Sequence, residues 1–424
     1  MSAKNTPRMI AAGAVGNVLE WYDFAVYGYF ATAIGRAFFP EQDKVAQVLA
    51  AFGVFAVGFL MRPIGGALLG HIGDRFGRRV ALSWSVAAMA VPTFLIGILP
   101  GYDMLGLAAP ILLTLLRMIQ GLSVGGEYTT SIVFLVERAS RRRRGLVGAV
   151  ADLGALSGIL LGSATGAVFE SVISAEAMQG WGWRIPFLIG LALGIVGFAL
   201  RRGLQEEVGG VPAVRSPLLT SFRKHGGLLA HLAGVSVFGA VGFYLMFVYI
   251  VSWLQLVDGV PPARALVINT ISMVLLFPAE IGMAMLSDRV GRMPVLLAVT
   301  GVAVVAAWPL FWLLHSHEQS LMLLGQLGFV VLVGGFYGCL PAFMVEAVAA
   351  EVRCTAIALG YNISVGLLGG LTPLVATWLV QRTDNDYSPA FMIMLAAAIS
   401  FLALLERWLR LRRQASAPAT MAVP

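Results

Sequence analysis

The sequence predicts an all-α membrane protein, with twelve transmembrane helices in two pseudo-symmetric six-helix bundles. Three observations lead there. The first is composition. Of 424 residues, 58% are hydrophobic and only 12% charged, and the mean hydropathy is +0.84. A soluble protein carries roughly 25% charged residues, so this chain has too few to cover a soluble surface. The second is the set of long apolar runs, near 9–34, 46–70, 80–99, 105–135, 145–173, 183–203, 227–256, 264–286, 293–315, 320–346, 354–381 and 387–408. Each reaches the about 20 residues that a bilayer helix needs, and the longer ones can tilt or enter the interface. The third is repetition. Gly70-His71-Ile72-Gly73-Asp74-Arg75-Phe76-Gly77-Arg78-Arg79 lies between two apolar runs, and Leu286-Ser287-Asp288-Arg289-Val290-Gly291-Arg292 returns in the matching place. Phe134 to Glu137, followed by Arg144, likewise returns as Phe343 to Glu346, followed by Arg353 at the same spacing. Two repeated loops make the chain two copies of one unit.

The elements follow in order. Met1 to Pro7 is short and polar, and the first apolar run is too long for the core of a cleavable signal. The loops on one face carry Lys4, Arg8, Arg75, Arg78, Arg79, Arg138 and Arg141 to Arg144, and later Arg201, Arg202, Arg215, Arg223, Lys224, Arg289, Arg292, Arg353, Arg407, Arg410, Arg412 and Arg413. The other face has only Arg36, Lys44, Arg184, Arg264 and Arg382. This asymmetry marks the first face as cytoplasmic and puts both termini there, as an even number of spans requires. The polar stretch from Arg201 to Gly226 divides six spans from six. The expected units are therefore a bundle at 1–200, a cytoplasmic linker at 201–226, a bundle at 227–410 and a disordered cytoplasmic tail at 411–424. Parallel halves of this kind are related by an axis along the membrane normal and leave a central cavity. The net charge of +7 then reflects loop arginines and implies no nucleic acid.

Charges at membrane depth are costly and are functional candidates by default. Span one holds Glu20 and Asp23, three apart and so on one helical face. Span two holds Arg62, span four Arg117 and Glu127, span five Asp152 and span eight Glu280. Arg117, with Gln120 one turn on, is a candidate anion site, because guanidinium stays charged when buried and grips a carboxylate bidentately. An internal ion pair is the alternative. Arg62 is a second candidate, or an interfacial cap. Asp23, Glu20, Glu127 and Asp152 are candidates for proton coupling, which needs a buried carboxyl that exchanges a proton; each can instead bridge to an arginine. Glu280, after Pro278, can line the cavity from the second half or serve a kink or gate.

Other candidates are aromatic or polar. Tyr22 lies within the charged stretch of span one. Tyr244, Phe247, Tyr249 and Trp253 on span seven suit a cavity wall or a packing stripe. Tyr361 and Asn362 put polar groups at membrane depth on span eleven, where Asn362 needs a partner in substrate or in another helix. Gly154, Gly158, Gly162 and Gly166 recur every fourth residue on span five and let another helix approach closely. The repeated loops read as a cytoplasmic gate. Asp74, Arg78, Arg79, Glu137 and Arg144 in one half, and Asp288, Arg292, Glu346 and Arg353 in the other, can pair in one state and part in another. Cys339 and Cys354 have no metal-binding spacing, and the five histidines, all near span ends, form no catalytic constellation. We expect no enzyme, no cofactor, no metal and a monomer.

These residues resemble a known family. Gly-X-X-X-Asp-Arg-X-Gly-Arg-Arg at 70–79, echoed at 284–292 with Ala284 for the leading glycine, resembles the signature of the major facilitator superfamily, as does Arg117-X-X-Gln120-Gly121. Gly16 to Phe24, Phe59 to Gly66, Gly125-Gly126-Glu127-Tyr128, Trp181 to Phe187, Asn362-Ile363-Ser364 and Gly370-Leu371-Thr372-Pro373 resemble its metabolite:proton symporter branch. The match covers nearly all of residues 9–410. It implies a bacterial inner-membrane symporter that works by alternating access. Members carry α-ketoglutarate, citrate and other organic acids, or proline and glycine betaine. Gln120 to Tyr128 resembles the α-ketoglutarate carriers, whereas Asp152-Leu153-Gly154, Asn362 to Val365 and Leu371 to Ala376 resemble the proline/betaine carriers. The tail lacks the heptads of the osmosensing members. On the arginines, the expected cargo is a small organic acid anion, a di- or tricarboxylate, imported with a proton. A zwitterion such as proline or glycine betaine is the alternative, and an exchanger or efflux carrier a further one.

Overall fold

A computed structural model describes residues 6–40, 43–65, 68, 78–123, 127–202, 217–316, 318–349 and 353–416. Among these residues there are helices and no strand. The first half holds α1 (Thr6–Tyr29), α2 (Lys44–Leu60), α3 (Arg78–Ile98), α4 (Ala108–Ser123, then Glu127–Arg138), α5 (Arg144–Val172) and α6 (Ile185–Arg202). The second holds α7 (Pro217–Tyr244), α8 (Pro262–Val290), α9 (Arg292–Leu314), α10 (Gln319–Tyr337, then Leu340–Ala347), α11 (Arg353–Ile363, then Gly370–Thr383) and α12 (Ser388–Ser416). A π-helical turn, Leu245–Tyr249, links α7 to Ile250–Leu256, and a second, Ser364–Gly369, joins the two parts of α11. Eight of the described helices are long and apolar enough to cross a membrane, and Trp84–Ile98, Ala108–Ser123 and Gly182–Val196 are shorter apolar helices.

The packing repeats between the halves. In the first, α1 lies on α5 and α6, α3 on α4 and α6, and α2 on α4. In the second, α7 lies on α11 and α12, α9 on α10 and α12, and α8 on α10. The halves meet along two lines, α5 against α8 and α2 against α11. Each line is the pseudo-symmetric image of the other.

Local chemistry sets several of these features. The Asp43 carboxylate accepts from Val45 N at 2.9 Å and caps α2. Gly291 ends α8 and opens α9 at φ 103°, a conformation that strains any residue with a Cβ. On α5 the glycine stripe works as expected. A Cβ at Gly158 would stand 2.3 Å from Val18 O, so α1 and α5 approach backbone to backbone.

Two boundaries differ from expectation. The seventh helix begins at Pro217, inside the expected linker, because proline is favoured in a first helical turn. The last helix continues to Ser416, inside the expected tail, with Glu406 and Arg410 paired one turn apart beyond the apolar run. Asp74 lies outside the described residues, as do the side chains of Arg78, Arg79 and Glu127.

Candidate functional site

The charges expected at membrane depth fall into two separate places. The first is sealed inside the first half. Asp23 on α1 and Arg117 on α4 have no exposed surface and pair at 2.6 Å. Thr93 Oγ1 donates to Asp23 Oδ1 at 2.7 Å, and Gln120 Nε2 donates to the same oxygen at 2.8 Å. Arg117 Nη1 also donates to Gln120 Oε1 at 2.8 Å. The guanidinium carbon lies 4.3 Å from the Tyr27 ring centroid and 4.7 Å from that of Phe24, a cation–π arrangement that shields the charge from solvent. Tyr22 is buried against α6, its hydroxyl donating to Pro186 O at 2.7 Å.

The second place lies between the halves. A small cavity of about 20 Å³ lies there. Trp21 of α1, Asp152 of α5, Phe243 of α7, Glu280 of α8, Tyr337 of α10 and Tyr361 of α11 line it, with aliphatic side chains of α5 and α8. Its described lining includes no basic residue. The aromatic rings are fixed by one another. Trp21 meets Phe243 edge-on at 6.3 Å and stacks on Tyr244 at 6.3 Å. Phe243 packs on Tyr337 at 5.7 Å, and Tyr361 stacks on Tyr128 at 5.3 Å. Beside the cavity, Arg62 sits in the helical turn after α2, 4% exposed, with its guanidinium 5.8 Å from the Trp21 ring. Its ion pair to Glu20 is long, at 3.8 Å, and its Nε and Nη1 find no hydrogen-bond partner in the structure.

Of the remaining predicted residues, Tyr244 is buried among Trp21, Phe55 and Phe59. Tyr249 packs on Phe52, and Trp253 Nε1 donates to Asp386 O, both away from the cavity. Asn362 Nδ2 donates at 2.8 Å to Ala358 O, one turn back in its own helix. Phe243 and Tyr337 were not singled out from the sequence. Tyr337 lies amid Gly334, Gly335 and Gly338, and that glycine-rich setting on a buried span was the available signal.

Both ends of the α5–α8 line are tied. Toward the arginine-rich face, Asp288 accepts from Gly145 N at 2.9 Å and Leu146 N at 3.0 Å, at the start of α5. Arg292 Nη2 holds the same carboxylate at 2.6 Å. The repeated Glu/Arg pairs exchange across the halves. Arg353 bonds Glu137, and Arg144 reaches Glu346 at 3.8 Å, with Arg292 Nε also near Glu346 at 3.6 Å. Glu137 thus pairs with the second half, because the end of α4 faces the start of α11. Toward the opposite face, the Ser163 and Thr270 hydroxyls lie 2.7 Å apart, and Asn269 Nδ2 donates to Ser163 at 3.2 Å.

Known proteins share this architecture. A D-xylose-proton symporter superposes with a TM-score of 0.74 at 18% identity, covering 95% of this chain and 97% of that one. An inward-open xylose transporter from E. coli superposes with a TM-score of 0.69 at 19% identity, covering 94% and 95%. At that identity the likeness concerns the fold alone. The sugar (and other) transporter family matches residues 9–206. A glycine betaine/proline/ectoine/pipecolic acid transporter of Dickeya dadantii is 36% identical over 415 residues, spanning 93% of this chain and 82% of that protein. The chain belongs to the major facilitator superfamily. Within it, a proline/betaine transporter of Escherichia coli is 36% identical over 411 residues, with the same coverage, and a putative proline/betaine transporter of Staphylococcus aureus is 33% identical over 417 residues, covering 95% and 88%. This major facilitator protein is a multi-pass membrane transporter and not an enzyme. Its relatives overturn the expectation of a di- or tricarboxylate cargo. That expectation counted Arg117 as a free anion ligand, whereas Asp23 already neutralises it and the cavity presents two carboxyl groups.

Proposed function

We propose that this transporter imports a small zwitterion, a betaine or an imino acid such as proline, together with a proton. The observation that carries the reading is the cavity's set of four aromatic side chains with acidic and no basic groups among its described lining. Aromatic faces attract quaternary and secondary ammonium groups through the ring quadrupole. Arg62, with two unpartnered nitrogens, Nε and Nη1, beside Trp21, suits the zwitterion's carboxylate. A tricarboxylate would meet like charge at Asp152 and Glu280. The relatives named for proline and betaine support the same cargo.

The packing of the halves along two lines supports alternating access. Rocking one half against the other along α5–α8 and α2–α11 would break the Asp288 and Glu346 contacts in one state and the Ser163 contact in the other. In this reading the arginine-rich face is cytoplasmic, the membrane is the bacterial inner membrane and the carrier acts as a monomer. Arg117, Gln120, Asp23 and Tyr22 then serve the frame of the first half or the coupling step rather than direct contact with cargo. Uptake into proteoliposomes tests the proposal. Labelled glycine betaine or proline should accumulate when the outside is made acidic and stop accumulating when the gradient is collapsed. Accumulation of citrate or α-ketoglutarate with no betaine or proline flux would reject it.

A further inference from the structure

Asp152 and Glu280 are contributed by opposite halves, on the two helices whose contact forms one of the lines between them. They lie midway between the two ties on those helices, Gly145 with Asp288 on one side and Ser163 with Thr270 on the other. Glu280 is 1% exposed, and its Oε1 has no hydrogen-bond partner in the structure. Its carboxyl group faces that of Asp152 within hydrogen-bonding reach. The other titratable groups around the pair are the hydroxyls of Tyr128 from α4, Tyr337 from α10 and Tyr361 from α11, and the thiol of Cys339 from α10. The Trp21 ring from α1 completes the wall, and Arg62 lies against that ring with Glu20 as its ion-pair partner.

Two ionised carboxylates facing each other away from water repel, and one proton held between them turns the contact into a hydrogen bond. Any motion of α5 against α8 changes their separation. We infer that Asp152 and Glu280 together form the site of the transported proton, so that closure of the halves around cargo requires one proton shared by the two carboxyl groups. The inference rests on the zwitterion–proton reading above and assigns the coupling step within it. The proton arrives from water on the face opposite the arginines and binds one carboxyl oxygen. It is shared when the halves close and leaves to water on the arginine-rich face when they part there. No covalent bond is made or broken other than that O–H. The sealed Asp23, held by Arg117 and two neutral donors, has no comparable change of partner along the line between the halves.

The test uses the full-length carrier in proteoliposomes, with glycine betaine as probe and an external pH electrode. In wild type, betaine uptake should alkalinise the medium, and both uptake and equilibrium counterflow should vary with pH. Glu280→Gln and Asp152→Asn each leave one ionisable carboxyl, opposite a neutral amide. Each should abolish proton movement per betaine and gradient-driven accumulation, and should leave counterflow that no longer varies with pH. Glu280→Asp should restore proton movement. A Glu280→Gln carrier that still alkalinises the medium in wild-type proportion overturns the assignment, as does one whose residual counterflow keeps the wild-type pH profile. Should either variant fold poorly, Cys339→Ser, a neighbouring change outside the cavity lining, must keep the proton count. Absence of any betaine or proline flux in wild type would instead defeat the zwitterion reading, independently of the variants.

Discussion

Two regions of this transporter hold carboxyl groups at membrane depth, and they are built on opposite rules. Asp23 is surrounded by a cation, a hydroxyl and an amide, all inside one half, and no solvent reaches it. Asp152 and Glu280 face each other across the two halves, beside a cavity, with no cation in the described lining. In the first arrangement the charges already neutralise each other inside one half, although Arg117 Nε and Nη2 make no hydrogen bond there. The second is complete only when something positive enters. On the proposed assignment, membrane depth alone does not mark a transport residue; what matters is whether the partner belongs to the same half or to the other one.

The comparison can be broken most sharply at the sealed cluster. Arg117→Ala leaves the Asp23 carboxylate buried without its counter-ion, and removing one partner of such a pair costs about 3–5 kcal/mol. A large fall in melting temperature of the detergent-solubilised protein should follow, with loss of transport. Removing both charges, by Asp23→Leu with Arg117→Met, should recover much of that stability. If Arg117→Ala melts like wild type, the cluster is not the structural keystone of its half.

At the cavity, the effect should fall on affinity. Trp21→Ala removes one face of the aromatic wall while leaving the Asp23 cluster intact. A cation–π contact of about 0.5–2 kcal/mol corresponds to a loss of a few-fold to about 30-fold in betaine affinity. Isothermal titration can read this, and Trp21→Phe should lose less. An unchanged dissociation constant in Trp21→Ala would place the cargo elsewhere.

Smaller effects belong to the ties between the halves. Asp288→Ala removes the acceptor for Gly145 N and Leu146 N, a cap of about 0.5–2 kcal/mol. Hydrogen exchange at the first amides of α5 should speed up, and the arginine-rich face should open more often. The smallest effect should come from Arg353→Glu. Its pair with Glu137 is partly exposed, and such pairs contribute about 0.2–1 kcal/mol. A modest loss of melting temperature, restored by Glu137→Arg in the same chain, would confirm that the repeated pairs are exchanged across the halves.

Much of the fold was legible because its signals are local. Apolar length, loop arginines and the duplicated Asp288 and Glu346 neighbourhoods all lie within short stretches of sequence. The glycine stripe on α5 was legible for the same reason, since Gly158 needs only its own helix period to predict a close neighbour. The site was legible only in part. Arg117 stood out as a buried charge, but its partner Asp23 lies three spans away, and nothing in spacing distinguishes an arginine that is already neutralised from one that awaits cargo. That ambiguity produced the organic acid expectation. The exchange of Arg144 and Arg353 across the halves was hidden because equal spacing within each half suggests local pairs just as well. Glu280 was visible as a candidate, yet its meeting with Asp152 depends on how two separate bundles dock.

One measurement bears most directly on the account: equilibrium binding of labelled glycine betaine to the purified transporter, competed with proline, citrate and α-ketoglutarate. Saturable betaine binding that proline displaces and the two acids leave untouched is the predicted result. Displacement by citrate or α-ketoglutarate, or saturable binding of either acid where betaine has none, would contradict it and return the cavity to an anion.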